Sequence, residues 1–315
     1  MFTTHNVKNM KKTLLLLALG AFALPQTLLA QDSTKAWTTG AQLNLTFSQT
    51  ALSNWQAGGD NALSGNALFS AFANRSVDLW HWDNSLDIAY GVNIVDGDFT
   101  KTDDRLEINS KLGHDLANPN WRATGSFTFR TQFYEGVDED DVRISDWMAP
   151  GYIFLGLGAD YVPSENLSVY LSPVTSKMTF VLDQDLANDG AFGVDAAERD
   201  TAGNIITEGQ QARVEVGAYV KIVYTKTNLI ENVDFSNKVD FYANYLENFG
   251  NIDINWELLF TAKVNSWLSA SLSLTMIYDD DIMIDRRNDA GDVIGAGPAA
   301  QFKEVFGAGL TFKLP

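Results

Sequence analysis

Residues Asn251–Val264 read Asn-Ile-Asp-Ile-Asn-Trp-Glu-Leu-Leu-Phe-Thr-Ala-Lys-Val. Every even position is apolar: Ile252, Ile254, Trp256, Leu258, Phe260, Ala262 and Val264. The odd positions carry Asn251, Asp253, Asn255, Glu257, Thr261 and Lys263, with Leu259 the exception. A period of two is that of a β-strand with one apolar and one polar face. The length decides between solvents. A strand in a soluble domain usually runs about 5–6 residues, whereas a tilted strand crossing a bilayer needs roughly 9–11. The stretch reads as a transmembrane strand, and the rest of the chain as copies of it closing one barrel.

Eleven further segments repeat the pattern. They are Trp37–Ser48, Asn61–Ala73, His81–Val95, Asp103–His114, Trp121–Tyr134, Gly151–Tyr161, Leu167–Leu182, Ala212–Thr225, Val233–Tyr245, Leu268–Tyr278 and Phe302–Leu314. Leu167–Leu182 changes phase. Its apolar positions are odd before Pro173 and even after Lys177, and proline cannot donate to a ladder, so a bulge is expected near Pro173. The count of about twelve is even, as in bacterial outer-membrane barrels. The fold expected is all-β: a single closed antiparallel up-and-down transmembrane barrel.

Connector lengths alternate. Asn74–Trp80, Asp115–Asn120, Val162–Asn166, Lys226–Asn232 and Asn265–Trp267 are short; Gln49–Asp60, Asp96–Thr102, Glu135–Pro150, Asp183–Gln211 and Asp279–Gln301 are long. Leu246–Gly250 alone breaks the long series. Short turns on one rim and long loops on the other are the outer-membrane layout, with the short rim in the periplasm. Both termini then lie in the periplasm. Trp37, Trp82 and Trp121 each open an upward strand on its apolar face at the short-turn rim. That placement suits an interfacial girdle, where amphipathic rings sit at headgroup level. Charge avoids the apolar faces; Glu304 is the main exception, near the outer rim.

The chain has 315 residues, a net charge of −18 and no cysteine. Such acidity argues against nucleic acid as a partner. At the N-terminus Lys8, Lys11 and Lys12 precede the apolar run Leu14–Leu24, followed by Pro25 and the small residue Ala30. The run is shorter than the ~18 residues of a helical span and reads as a secretory signal peptide cleaved after Ala30. Residues 1–30 are thus expected to be the signal and 31–315 the barrel, placed in the outer membrane.

Chemistry-bearing motifs are sparse. His81 and His114 lie near the short-turn rim and read as turn or interfacial residues rather than as catalytic bases. No phosphate loop, zinc spacing or nucleophile elbow is present in the sequence. The expectation is a non-enzyme with no catalytic residues, no cofactor and no dedicated metal site. Two loops are acidic, one with Glu135, Asp138, Glu139, Asp140, Asp141 and Asp146, the other with Asp279, Asp280, Asp281, Asp285, Asp289 and Asp292. Neither shows the spaced ligands of an EF-hand, and solvated acidic loops are the ordinary reading. The polar strand faces mix signs: Arg105, Lys111, Arg122, Arg130, Arg213, Lys221 and Lys263 against Asp87, Glu107, Glu215, Asp253 and Glu257. These residues would either line a polar channel and tune its selectivity or hold a salt-bridged lumen shut.

The segment Phe47–Ala67 contains Leu52-Ser53-Asn54-Trp55-Gln56-Ala57-Gly58-Gly59 followed by Leu63-Ser64-Gly65. It resembles the signature of domain-of-unknown-function family 3078, a group of Bacteroidetes-type outer-membrane β-barrel proteins. The resemblance implies a secreted, membrane-associated barrel and supplies no catalytic residues. Gly58-Gly59-Asp60-Asn61 reads as a turn-former, and the loop with Asn54 and Trp55 would plug the mouth or anchor a partner. The chain ends Phe312-Lys313-Leu314-Pro315 rather than on the aromatic residue that the barrel-assembly machinery commonly reads. The functional expectation is a small porin-like channel for ions or small solutes. The alternative is a non-conducting barrel acting as a structural or partner-binding component of the envelope. Expected partners are outer-membrane lipid and lipopolysaccharide, the assembly machinery and a further envelope protein.

Overall fold

The structure is a computed structural model that describes residues 37–50, 62–95, 97–138, 141–247, 249–288 and 293–314. The motif residues Asn54, Trp55, Gly58 and Gly59, and the whole of the N-terminal signal, lie outside the described residues.

Twelve antiparallel strands close into one barrel. In chain order they are β1 Trp37–Thr50, β2 Ala62–Val77, β3 Trp80–Val95, β4 Asp98–Asp115, β5 Trp121–Thr131 and β6 Gly151–Ser164. They continue as β7 Leu167–Phe180, β8 Ala212–Ile230, β9 Val233–Asn244, β10 Asp253–Lys263, β11 Leu268–Tyr278 and β12 Gln301–Leu314. Each strand pairs with its neighbours in sequence, and β1 pairs with β12 from Ala41↔Leu314 to Phe47↔Ala308 to seal the ring. The ring has no edge strand, since each of the twelve strands is laddered to a neighbour on both sides, as a bilayer demands.

The barrel is built with its polar residues inside. Leu157 is 70% exposed and Phe306 73%, while Glu107 and Lys177 are each 3% exposed. Only lipid makes that distribution favourable: burying charges in water while presenting a belt of Leu, Val and Phe to it would cost free energy on both faces. The strand faces follow the sequence parity throughout. Two outward tryptophans bond their indoles locally: Trp256 donates to Asn237 (2.9 Å) and Trp82 to Ser110 (2.9 Å). Glu304 sits on the outer face opposite Leu274.

The expected bulge is present. Thr175 faces Gly217 and Ser172 faces Tyr219, so Pro173 and Val174 together oppose Ala218 alone. On the other side Gly158 takes the same place against β7, and a Cβ there would run into the Leu171 carbonyl. Glycine is therefore required at Gly158 by the close approach of the bulged backbone.

One connector departs from its expected length. Residues 96–102 were assigned as a long loop, yet Val95 pairs with Asp98 across a two-residue turn that holds Gly97 at φ +98°. Glycine adopts that conformation without strain, so β4 begins five residues earlier than its hydrophobic alternation alone suggests. The short turns and both ring-closing strand ends share one rim. Among the described residues the opposite rim carries 132–138, 141–150, 181–211, 245–247, 249–252, 279–288 and 293–300. Within 181–211 a small apolar core of Val181, Leu186, Ala187 and Val194, together with Ala149, packs around helix α1, Gln184–Asn188.

Candidate functional site

The site is the lumen, and it is built in layers along the barrel axis. At the short-turn rim the ion pairs are local. Arg122 bonds Asp115 at 3.1 Å, Lys111 reaches Asp160, and Asp234 takes both Lys263 (2.7 Å) and Lys313 (3.3 Å). His81 hydrogen-bonds Ser76 at 3.0 Å and Asp115 at 3.0 Å. The order Ser–His–carboxylate matches a nucleophilic triad on paper. Here, however, Ser76 faces His81 as the cross-strand pair beside a turn, and Asp115 is shared with Arg122. The group ties three strand ends together. His114 stacks edge-on against Trp80 with ring centroids 4.7 Å apart.

Mid-barrel, the pairs cross the lumen. Arg105 on β4 bonds Glu257 on β10, and Lys238 on β9 bonds Asp87 on β3 at 2.9 Å. In a ring of twelve both pairs join strands six places apart, which is opposite walls. Arg130 on β5 takes Glu107 at 3.0 Å and lies 3.7 Å from Asp240 on β9. Lys221 on β8 reaches Glu107 at 3.5 Å and the Asn109 side-chain oxygen at 3.1 Å, both on β4. Four cations face four carboxylates, so this septum is neutral. A circular twelve-strand barrel, with strands about 4.8 Å apart and tilted by about 40°, is roughly 24 Å across. An Arg and a Glu meeting tip to tip bridge much less, so the opposed walls are drawn into an oval.

Beside the septum, on the wall formed by β6 to β9, lies an aromatic cluster in which Tyr170 is in register with Lys221 and Lys221 with Asp240. Phe154, Tyr170, Tyr219 and Tyr242 project inward from β6 to β9, with centroids 5.7 to 6.3 Å apart. The three tyrosines are buried. Such edge-to-face and tilted contacts are favourable beyond the area they bury.

The mouth beyond is acidic. The Lys177 ammonium lies over the Tyr152 and Tyr242 rings at 5.9 and 5.3 Å and contacts Asp253 (2.7 Å), Asp279 (3.5 Å) and Glu215 (3.8 Å). Arg213 bonds Asp281 at 2.6 Å, Glu247 at 2.8 Å and the Gly193 carbonyl at 3.1 Å, fastening the 181–211 loop to the rim. A vestibule of about 430 Å³ opens here. On that loop Asp183 caps α1. The Leu186 amide, and then Arg143, hold its carboxyl below the usual range against the opposing effect of burial.

Arg105, Glu107, Lys111, Arg122, Arg130, Arg213, Glu215, Lys221, Glu257 and Lys263 each take part in an ion pair with another residue of the inward parity or of the rim. They divide among three layers rather than lining one path. The layers also use Lys238, Asp240, Lys177 and the tyrosines, which share the inward parity but were not singled out. Trp37, Trp82 and Trp121 lie on the outer face at the short-turn rim; Trp37 packs on Trp82 at 5.4 Å and Trp121 on Tyr161 at 4.9 Å.

The profile of a family described as a protein of unknown function, DUF3078, matches residues 47–137, which include the Leu52–Gly59 motif. A second unknown-function family, DUF481, matches residues 182–289. No curated protein matches the chain. Among solved structures, an outer membrane channel from Pseudomonas putida is similar at 13% identity and a TM-score of 0.38, covering 92% of this chain and 98% of that one. The translocator domain of the autotransporter NalP from Neisseria meningitidis is similar at 10% identity and a TM-score of 0.35, covering 98% of each chain. Neither likeness bears on what this chain does.

Proposed function

We propose that this protein is an outer-membrane barrel sealed at rest by its own side chains, serving the envelope as a non-conducting structural or partner-binding component. Its termini and short turns face the periplasm, and lipid and lipopolysaccharide surround it. The role involves no catalytic step. The observation that carries this reading is the pair of ion bridges between opposite walls, Arg105–Glu257 and Lys238–Asp87. A constitutively open pore keeps its charges along the wall, where they steer solutes; these charges meet in the middle. The buried aromatic cluster on the adjoining wall adds bulk beside these pairs. With the lumen closed, the parts left to meet a partner are the long loops.

A gated channel is the second reading. It is favoured by the charged make-up of the septum, in which eight side chains joined by ion pairs are all that must part at that level. Planar-bilayer recording of the refolded full-length protein tests both. The sealed barrel gives no steady conductance at low or high voltage, and Arg105→Ala with Lys238→Ala introduces discrete steps. Voltage-driven steps in the unmodified protein establish the gated reading instead. A steady ohmic conductance at low voltage overturns both.

A further inference from the structure

The ring closes, but one of its seams is short. β1 and β12 pair over seven residues, from Ala41↔Leu314 to Phe47↔Ala308. Every other ladder of the ring runs over ten or more. Were the register to continue, Ser48, Gln49 and Thr50 would face Gly307, Phe306 and Val305. They ladder with β2 alone, from Ser48↔Ser64 to Thr50↔Ala62. Beyond Ala308, β12 ladders with β11 alone, from Gly307↔Ser271 to Gln301↔Ile277. Among the described residues no strand pairs with the other side of Gln301–Gly307. The wall therefore splits between β1 and β12 on the long-loop side of Phe47 and Ala308.

Two independent observations fall on the same edge. Phe302, Glu304 and Phe306 alternate on its outward face, opposite Met276, Leu274 and Leu272 of β11. Phe302 is 76% exposed, more than any other large apolar side chain among the described residues, and Phe306 and, across the split, Phe47 are exposed as well. Between the two phenylalanines stands Glu304, exposed and, among the described residues, without an ion pair. It is the charge that breaks the apolar parity of the strand. Unladdered backbone groups and an unpaired carboxylate both gain when a neighbour supplies donors and a cation, and they gain most where water is scarce.

We propose that Gln301–Gly307 of β12 is a strand-addition site for a segment of a partner polypeptide. The segment it fits is extended, with a Lys or Arg opposite Glu304 and apolar side chains two residues to either side. Backbone hydrogen bonds along the edge supply affinity, and alternate side chains supply specificity. The edge is about 20 Å long at about 3.4 Å per residue, enough for one added strand. Opposite charges facing each other on neighbouring strands, flanked by aromatic–aliphatic pairs, favour one register. A slip of one residue turns the basic side chain to the other face, so the charge pair also fixes that register. The proposal rests on the reading of the barrel as a partner-binding component, and it adds the wall's own edge to the long loops as a contact. Its test reads neither current nor voltage, so a steady conductance would overturn the sealed barrel and leave strand addition standing.

The probe is a dye-labelled peptide, Thr-Leu-Thr-Lys-Thr-Leu-Thr, blocked at both ends and titrated into the full-length barrel in detergent micelles. Fluorescence anisotropy reads binding, and hydrogen exchange locates it. Saturable binding is expected, with slowed exchange at amides within Gln301–Gly307 and unchanged exchange on β6 and β7. Replacing the peptide's Lys by Glu should weaken binding at least about tenfold, because like charges then face each other. Glu304→Lys should reverse that preference, and the heat-dependent gel shift of a closed barrel confirms that this variant is folded. A peptide with Pro for the two inner Thr keeps the charge and the apolar side chains but loses ladder donors, and it should bind about tenfold more weakly or worse. Equal binding of the Pro peptide would mean an amphiphile adsorbed on the phenylalanines, and it overturns the site. So does a preference for the Lys peptide that survives Glu304→Lys, protection elsewhere on the barrel, or no binding at all.

Discussion

Two levels of one lumen use the same residue types to opposite effect. At the septum four cations meet four carboxylates, and the pairs reach across the barrel. At the mouth, among the described residues, Lys177 and Arg213 are each shared by several carboxylates. Charge in a low-dielectric interior is tolerated when it is paired and bonded. The first arrangement therefore makes a wall, and the second hangs several carboxylates on each of two cations. A count of lumen charges would miss this; the distinction lies in who is paired with whom.

The largest effect should come from breaking the balanced level. Glu107 holds both Arg130 and Lys221. Glu107→Ala leaves two buried cations short of a partner and should cost about 3–5 kcal/mol, the usual consequence of removing one member of a buried ionic group. The urea midpoint of the lipid-refolded barrel reports it. An unchanged midpoint would show that the septum is not an energetic unit.

Removing a cation from the unbalanced level sharpens the contrast. Lys177→Met leaves Asp253, Asp279 and Glu215 without their shared ammonium. The melting temperature of the refolded barrel should fall, by less than for Glu107→Ala because Arg213 still faces Glu215; an unchanged melting temperature would show that the shared ammonium is not what holds these carboxylates together.

The smallest effect lies outside the barrel, where a carboxylate is engaged by two amides of its own loop and by Arg143 of the neighbouring one. Asp183→Ala removes the cap of α1 and should cost about 0.5–2 kcal/mol locally, read as faster hydrogen exchange at the Asp185 and Leu186 amides. The folded carboxyl is held below its ordinary value. Its contribution is therefore complete above the unfolded carboxylate pKa of about 3.9 and fades as pH falls through the lowered folded value. Exchange at those amides should be insensitive to pH-driven uncapping near neutrality and show it only in strong acid.

The barrel itself is legible in the sequence because parity is a local signal. Ile252 through Val264 declare their face within a single stretch, and the phase change around Pro173 declares its bulge. The start of β4 is hidden, because Asp98–Thr102 carries polar residues in a strand that has risen above the apolar belt. The pairing inside the lumen is hidden for a different reason. Whether Lys238 meets Asp87 depends on which strands end up opposite after the ring closes, and on how far it flattens. That is a property of all twelve strands together. Tyr170, Tyr219 and Tyr242 read as members of a polar face one at a time; their stacking into a layer needs three different strands in register.

The final strand has a duty beyond completing the ring. From β12, Lys303 reaches Asp103 on β4 at 2.7 Å, and Lys313 reaches Asp234 on β9. Until that strand arrives, β1 and β11 each lack a ladder partner, Asp103 inside the half-built wall lacks its ammonium, and Asp234 has only Lys263. Sealing the seam and quieting the interior are therefore one event, so an eleven-strand intermediate has little reason to linger in lipid and every reason to wait in the grip of whatever inserts it.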